Sequence, residues 1–309
     1  MIFSETTTTV AQQHGVLVLN KPSGPTSNRC LTAIKRLGQK KIGHAGTLDP
    51  MADGVLLLLL GQATKLSGFL LQSGCKIYDA TVLLGRETST WDAEGEIVQE
   101  RPWEHVTASM VSEVLNSWQG DLEQIVPPYS AAKSNGQPLY RLARAGKDVP
   151  VKIKTVHIFQ TEILSLDLPV VRFRVTCSSG TYIRSLAHSL GMRLLCGATL
   201  TKLTREYSHP FALSQAADLD ELIRNPQSLP EQVHSIEEAL PDWPVVSVNS
   251  ETARRIRNGM PIACPADLTG AEQVLLKSDR EILALARVSM DTTQGRMRPV
   301  LTVARGLWS

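Results

Sequence analysis

Val55-Leu-Leu-Leu-Leu-Leu60 is the longest apolar run in this 309-residue chain. It falls far short of the roughly 20 residues needed to cross a bilayer. Its length is that of a strand, and the absence of polar residues marks the strand as buried. Gly15–Leu19 reads as a second buried strand, closed by Asn20-Lys-Pro-Ser-Gly-Pro. Residues 76–84 alternate as a strand, and so do Val171, Phe173, Val175 and Cys177 between Arg172, Arg174 and Thr176. Helices lie between these strands. One is capped by Ser27, carries Leu31, Ile34 and Leu37 on one face and stops at Gly38. Val106–Trp118 is amphipathic, with Thr107 as cap, Met110, Val111, Val114, Leu115 and Trp118 as its stripe, and Gly120 after it. A third opens at Gly180-Thr181 with Ile183, Leu186, Ala187, Leu190 and Leu194 inward. Strands and helices mix without a strict βαβ rhythm, so the fold class is α+β rather than a doubly wound parallel sheet.

The length suggests two domains. Residues 1–13 are polar, with a threonine run at Thr6–Thr9, and read as a flexible tail. Residues 14–240 form the larger domain. An acidic stretch, 215–239, holds six carboxylates and one arginine, and Pro241-Asp-Trp-Pro244 reads as a linker. Residues 245–309 then carry short strand-like runs and one helix, Glu251–Asn258, which reads as a small, mostly β domain. The five cysteines, Cys30, Cys75, Cys177, Cys196 and Cys264, form no CxxC pair. No structural zinc site is expected, and scattered reduced thiols fit a cytoplasmic protein. No secretory leader is visible.

The net charge of +2 hides strong local asymmetry. Residues 28–41 hold Arg29, Lys35, Arg36, Lys40 and Lys41 and no acid. Residues 131–155 hold Lys133, Arg141, Arg144, Lys147, Lys152 and Lys154 against Asp148 alone. The C-terminal helix adds Arg254, Arg255 and Arg257. Converged in space, these segments suit a polyphosphate backbone; dispersed, they are solvated faces.

The segment with the densest chemistry is Lys41–Gly54, which holds three glycines, His44, Asp49 and Asp53 immediately before the leucine run. Loops on a rigid scaffold concentrate functional groups. Asp49 precedes a proline and is therefore biased toward extended backbone. Such a carboxylate can serve as nucleophile or general base, or simply as a turn residue. Arg184 falls in the first turn of its helix, where a cation opposes the macrodipole, so it calls for an acid from elsewhere. Tyr78 shares a strand face with Ala80 and Val82; it suits core packing or stacking under a planar base.

Gly43-His-Ala-Gly-Thr-Leu-Asp-Pro-Met-Ala-Asp-Gly54 closely resembles the signature loop of the TruB family of tRNA pseudouridine synthases. Other blocks resemble that family in the same order: Asn20–Ser27, Lys76-Ile-Tyr78, Leu84–Asp92, Pro127–Lys133 continuing through Gly136 to Leu139-Tyr140, Cys177–Arg184, and Gly197 to Leu203. The likeness runs from about residue 15 to 210, and the tail after 245 resembles a PUA-type RNA-binding module more loosely. Asn20 stands where the family commonly has aspartate, Ala45 where it has threonine or a glycine-like small residue, and Asp53 where it has threonine or serine.

The resemblance implies a pseudouridine synthase domain with a mixed or antiparallel central sheet and a small, mostly β PUA-like C-terminal domain. It implies a stand-alone isomerase converting uridine to pseudouridine at position 55 in the T-arm of tRNA, by base flipping, with a possible accessory role in tRNA folding. Asp49 matches the catalytic nucleophile, Tyr78 the tyrosine that stacks on the uracil and is implicated in C5 proton removal, and Arg184 the arginine that pairs with the carboxylate. His44 matches the histidine that helps to open the RNA loop, and Leu203 a pocket-lining residue. RNA contacts are expected from Lys21, Lys133, Arg141, Arg144, Lys152, Lys154, Arg254 and Arg255, several within a basic insertion at about 127–155. No cofactor, metal or guide RNA is expected, and the chain is expected to be a cytoplasmic monomer. The rival readings are a guide-dependent synthase, a catalytically silent RNA chaperone, and a carbohydrate enzyme using Asp49 and Asp53 as an acid/base pair.

Overall fold

The computed structural model describes residues 9–72, 74–268, 270–278, 281–291 and 298–308. Its centre is an 11-stranded mixed sheet. Along the main path the strands are Ala217–Asp218, Gly15–Lys21, Asp53–Leu60, Ala198–Ser208, Cys75–Leu84, Val170–Ser178, Ile153–Asp167 and Gly120–Ile125. Neighbours on this path are antiparallel except for two parallel contacts, Gly15–Lys21 with Ala217–Asp218 and Asp53–Leu60 with Ala198–Ser208. A separate five-stranded sheet is built from residues 245–306, in keeping with a PUA-like module. The fold is therefore α+β with a mixed sheet.

The leucine run is buried because both its faces are covered. Leu56, Leu58 and Leu60 enter one core with Leu17, Leu19 and the helix residues Cys30 and Ile34. Val55, Leu57 and Leu59 face the opposite way, into a core that takes Leu275, Leu285 and Leu307 from the C-terminal region. A side chain fully removed from water contributes about 1.5–3 kcal/mol, so this strand anchors both layers at once. The C-terminal sheet is thus docked on the central sheet. Trp243 of the Pro241–Pro244 segment adds to the contact by meeting Phe69 edge-on at 5.1 Å.

Three local expectations are corrected. The tail expected over residues 1–13 lies outside the described residues at 1–8, and from Val10 the chain is tied down. The Val10 amide donates to the Leu37 carbonyl at 2.8 Å, and the Gln39 side chain accepts from the Gln13 amide at 2.7 Å. Thr26, not Ser27, caps the first helix, accepting from the Arg29 amide at 3.2 Å. Either hydroxyl satisfies the capping pattern, and burial of Ser27 diverts its hydroxyl to another task described below. The glycine-rich segment is not wholly irregular: Ile42–Ala45 is a strand paired with Leu57–Leu60. The helices Ala108–Asn116 and Ile183–Arg193 bury the faces read from their periodicity.

Candidate active site

Residues 46–52 form a loop between the strands Ile42–Ala45 and Asp53–Leu60, and four side chains hold its backbone. Ser27 is one of them. Its Oγ donates to the Leu48 carbonyl and accepts from the Leu48 amide, both at 2.9 Å. Lys21 is completely buried, and its Nζ donates to the carbonyls of Pro22 at 2.9 Å, Pro50 at 3.1 Å and Ala52 at 2.6 Å. Ser23 Oγ donates to the Met51 carbonyl at 2.9 Å. Arg205, also buried, donates from Nε to the Val55 carbonyl at 2.6 Å and from Nη2 to the Gly46 carbonyl at 3.0 Å. The parallel contact of Gly54 with Arg205 makes this reach possible. A Cβ on Gly54 would lie 2.3 Å from the Arg205 carbonyl oxygen, and its φ of +97° suits glycine alone.

The loop presents Asp49 to a cleft of about 890 Å³. Arg184 reaches it from the second position of its helix. Nη2 donates to Asp49 Oδ1 at 3.0 Å, and Nε lies 2.9 Å from Oδ2 in an ionic contact without hydrogen-bond alignment. Nη1 donates to the Thr90 carbonyl and Nη2 also to the Tyr129 carbonyl, each at 3.1 Å. The Arg184 side chain is 5% exposed and that of Asp49 is 34% exposed. The guanidinium is therefore held inside while the carboxylate still faces the cleft. The cation at a helix start thus has its acid, supplied by a loop distant in sequence.

A second carboxylate completes the arrangement. Asp92 is buried, and its Oδ2 lies 3.5 Å from Arg184 Nε. Its Oδ1 accepts from Thr90 Oγ1 at 2.5 Å and from the Glu94 amide at 3.1 Å. Sequence reasoning did not single out Asp92; the only signal was its position at the end of the Leu84–Asp92 block. Lys76 and Arg205 were likewise missed as cleft residues. Burial pushes the Lys76 ammonium down to about 8, and the Arg205 charge pushes the same way.

Tyr78 and Leu203 line the cleft, both nearly buried. Burial raises the Tyr78 phenol above its ordinary value, so it is neutral at physiological pH. Of the basic residues expected to meet RNA, Arg144 and Lys154 line the cleft. Lys133 and Arg141 are exposed outside its lining, and the Lys152 ammonium donates to the Lys133 carbonyl. Arg254 and Arg255 are exposed on the helix Ser250–Arg257 and are not among the cleft's lining residues. Lys21 is corrected from an RNA contact to an internal clamp, because its ammonium is sealed beneath the loop. His44 sits on the strand Ile42–Ala45 opposite Leu58 and is not part of the cleft lining. Burial lowers its imidazole below the ordinary value, helped by Arg205. Asp53 is a strand residue outside the lining too, which separates it from Asp49 as an acid/base partner.

The arrangement offers the Asp49 carboxylate, open to the cleft and oriented by a buried guanidinium, beside an aromatic ring and cationic side chains. Such a site can form a covalent bond to an electrophilic carbon while a planar group stacks next to it.

Comparison with known proteins gives concordant results. Residues 35–183 match the family model described as TruB family pseudouridylate synthase (N terminal domain). A protein named tRNA pseudouridine synthase B from Nitratidesulfovibrio vulgaris (strain DSM 19637 / Miyazaki F) is 55% identical over 306 residues, 97% of this chain and 98% of that protein. One of the same name from Oleidesulfovibrio alaskensis is 56% identical over 307 residues, again 97% and 98%. Among solved structures, the archaeal box H/ACA sRNP Nop10-Cbf5 complex has a chain of the same fold. Its TM-score is 0.69 at 24% identity, covering 96% of this chain and 86% of that one. Among the described residues no helix is long and apolar enough to cross a membrane.

Proposed function

The chain belongs to the TruB family of pseudouridylate synthases, and from that premise we propose that it isomerises uridine to pseudouridine at position 55 in the T-arm of tRNA. The observation that carries this reading is the Asp49 carboxylate, open to the cleft and gripped from behind by Arg184, with Tyr78 beside it. Isomerisation breaks the N1–C1′ bond, rotates the uracil and joins C5 to C1′. The C5 proton leaves and N1 takes one up. Asp49 is the nucleophile. Arg184 grips and aims it, and Tyr78 stacks on the uracil while the base turns. A uridine within a folded T-arm must be extruded to reach Asp49, at a cost of a few kcal/mol. Stacking on the tyrosine and phosphate contacts from Arg144 and Lys154 offset that cost.

Residues 14–240 act as the catalytic domain, and 245–309 as an RNA-binding domain using Arg254 and Arg255. Lys133, Arg141 and Lys152 extend the contact surface beyond the cleft, and His44 and Leu203 support the opened loop. The enzyme works in the cytoplasm as a monomer, without guide RNA; the name tRNA pseudouridine synthase B carried by its curated relatives supports the tRNA substrate. The test is incubation of the purified protein with an unmodified tRNA transcript, followed by mapping at single-nucleotide resolution. Pseudouridine at the T-arm uridine alone is expected. No product there without guide RNA overturns the reading.

A further inference from the structure

Trp91 occupies a conformation that a bulky side chain rarely adopts, with φ of +63°. Backbone in this region is strained for a side chain of this size and persists only where its surroundings enforce it. The enforcement is visible on three sides. The Trp91 amide donates to the Thr88 carbonyl at 3.1 Å, and the Trp91 carbonyl accepts from the Leu200 amide at 3.1 Å. The Ala93 amide returns to the Leu200 carbonyl at 3.0 Å. The indole lies flat on the His188 imidazole, with centroids 4.1 Å apart and planes 8° from parallel.

His188 stands one helical turn beyond Arg184, so both project from one face of the helix Ile183–Arg193. That face meets the 87–92 segment twice. His188 stacks on Trp91, with its Nδ1 3.4 Å from Glu87 Oε1. Arg184 receives the residues on either side of Trp91, the Thr90 carbonyl at 3.1 Å and Asp92 Oδ2 at 3.5 Å. Thr90 and Asp92, which meet the guanidinium, thus flank the residue whose ring stacks on His188.

We propose that the Trp91–His188 stack is a positioning element of the active site, locking the strained turn so that Thr90 and Asp92 fix Arg184 against Asp49. Neither ring lines the cleft, so both act through other residues. Burial lowers the His188 imidazole below its ordinary value, against the pull of Glu87, which favours the neutral ring in the stack. The inference rests on the proposed isomerase reading and adds to it the pair of residues that aims the nucleophile.

The test uses the full chain with Trp91→Gly, Trp91→Phe, His188→Ala and His188→Phe. Glycine accepts the positive φ without strain, so Trp91→Gly removes the ring while leaving the backbone at ease. Trp91→Gly and His188→Ala are expected to slow single-turnover pseudouridine formation about tenfold to a hundredfold, the scale of a misplacement near 1 Å. Their tRNA dissociation constants are expected to stay within about threefold of wild type. The phenylalanine variants, which keep a stacking ring, are expected to recover most of the rate. Melting temperatures identify any variant whose loss is simply unfolding. Full rates in Trp91→Gly and His188→Ala, or a His188→Phe variant as slow as His188→Ala, overturn the proposal. A wild-type protein that forms no pseudouridine at all overturns the isomerase reading instead.

Discussion

Arg184 and Asp49, 135 positions apart in sequence, meet with Arg184 Nη2 donating to Asp49 Oδ1 at 3.0 Å. The arginine also donates to two backbone carbonyls, those of Thr90 and Tyr129. A planar fork serves three directions at once; a lysine ammonium on a flexible stem does not reproduce that geometry. Arg184→Lys is therefore expected to cut single-turnover rate by about a hundredfold with charge unchanged. A rate near wild type would show that charge alone suffices and that the fork is incidental.

Lys21 and Lys76 are both buried lysines, and they are expected to respond oppositely to removal. Lys21 Nζ satisfies three carbonyls beneath the Asp49 loop, and burial lowers its affinity for a proton against the pull of Cys30, Asp53 and Asp49. Lys21→Met orphans those oxygens at a cost of about 1–3 kcal/mol, so the melting temperature is expected to fall. The salt dependence of tRNA binding is expected to keep its slope. A slope reduced by about one would mean that Lys21 neutralises a phosphate after all.

The Lys76 side chain lines the cleft, where burial and the Arg205 charge oppose its protonation. Its folded pKa of about 8 lies below the ordinary 10.5, so the unfolded chain binds the extra proton between these values. Stability due to this group therefore rises with pH from 8 to 10.5, and below 8 the buried charge is a full penalty. The 2.5-unit gap between the two values corresponds to about 3 kcal/mol. Lys76→Met is expected to raise stability at pH 7 by up to that amount in urea unfolding, with the gain shrinking as pH climbs past 8. The same variant is expected to bind tRNA about tenfold more weakly, a loss of about 1.4 kcal/mol. Unchanged stability at pH 7 would contradict the burial penalty.

How much of this was legible in the sequence depended on whether a role lay in local pattern or in a meeting of distant segments. The strand faces of Phe173, Val175 and Cys177 and the stripe of Val111, Leu115 and Trp118 were readable, because periodicity alone decides which side is buried. The α+β class followed from the irregular alternation of elements, whereas the sheet's make-up came only with the family resemblance. The macrodipole mismatch at Arg184 announced a missing acid but could not say which one. Asp92 escaped notice because it approaches Arg184 only through a turn pinned to Leu200. Lys21 reads as an RNA contact because nothing in Asn20-Lys-Pro shows three carbonyls converging on its ammonium. Ser27 fits the cap pattern as well as Thr26 does; only the fold shows that its hydroxyl is committed to Leu48.

Tyr78 combines a stacking ring with a hydroxyl that burial keeps protonated. Tyr78→Phe separates the two contributions. Binding of tRNA is expected to stay within about threefold, since the ring remains. Turnover is expected to fall by about 10²–10⁴, the range for a lost proton-transfer group. Full activity in Tyr78→Phe would confine the residue to stacking.

The most direct test of the central claim follows the hydrogen that isomerisation must expel. A tRNA transcript tritiated at uridine C5 releases tritium only when C5 joins C1′. Wild-type protein is expected to release the label from the T-arm uridine. Asp49→Asn is expected to release none, with tRNA affinity within about tenfold of wild type, or 1.4 kcal/mol. Release by Asp49→Asn at the wild-type rate would contradict the account, because the nucleophile would then lie elsewhere.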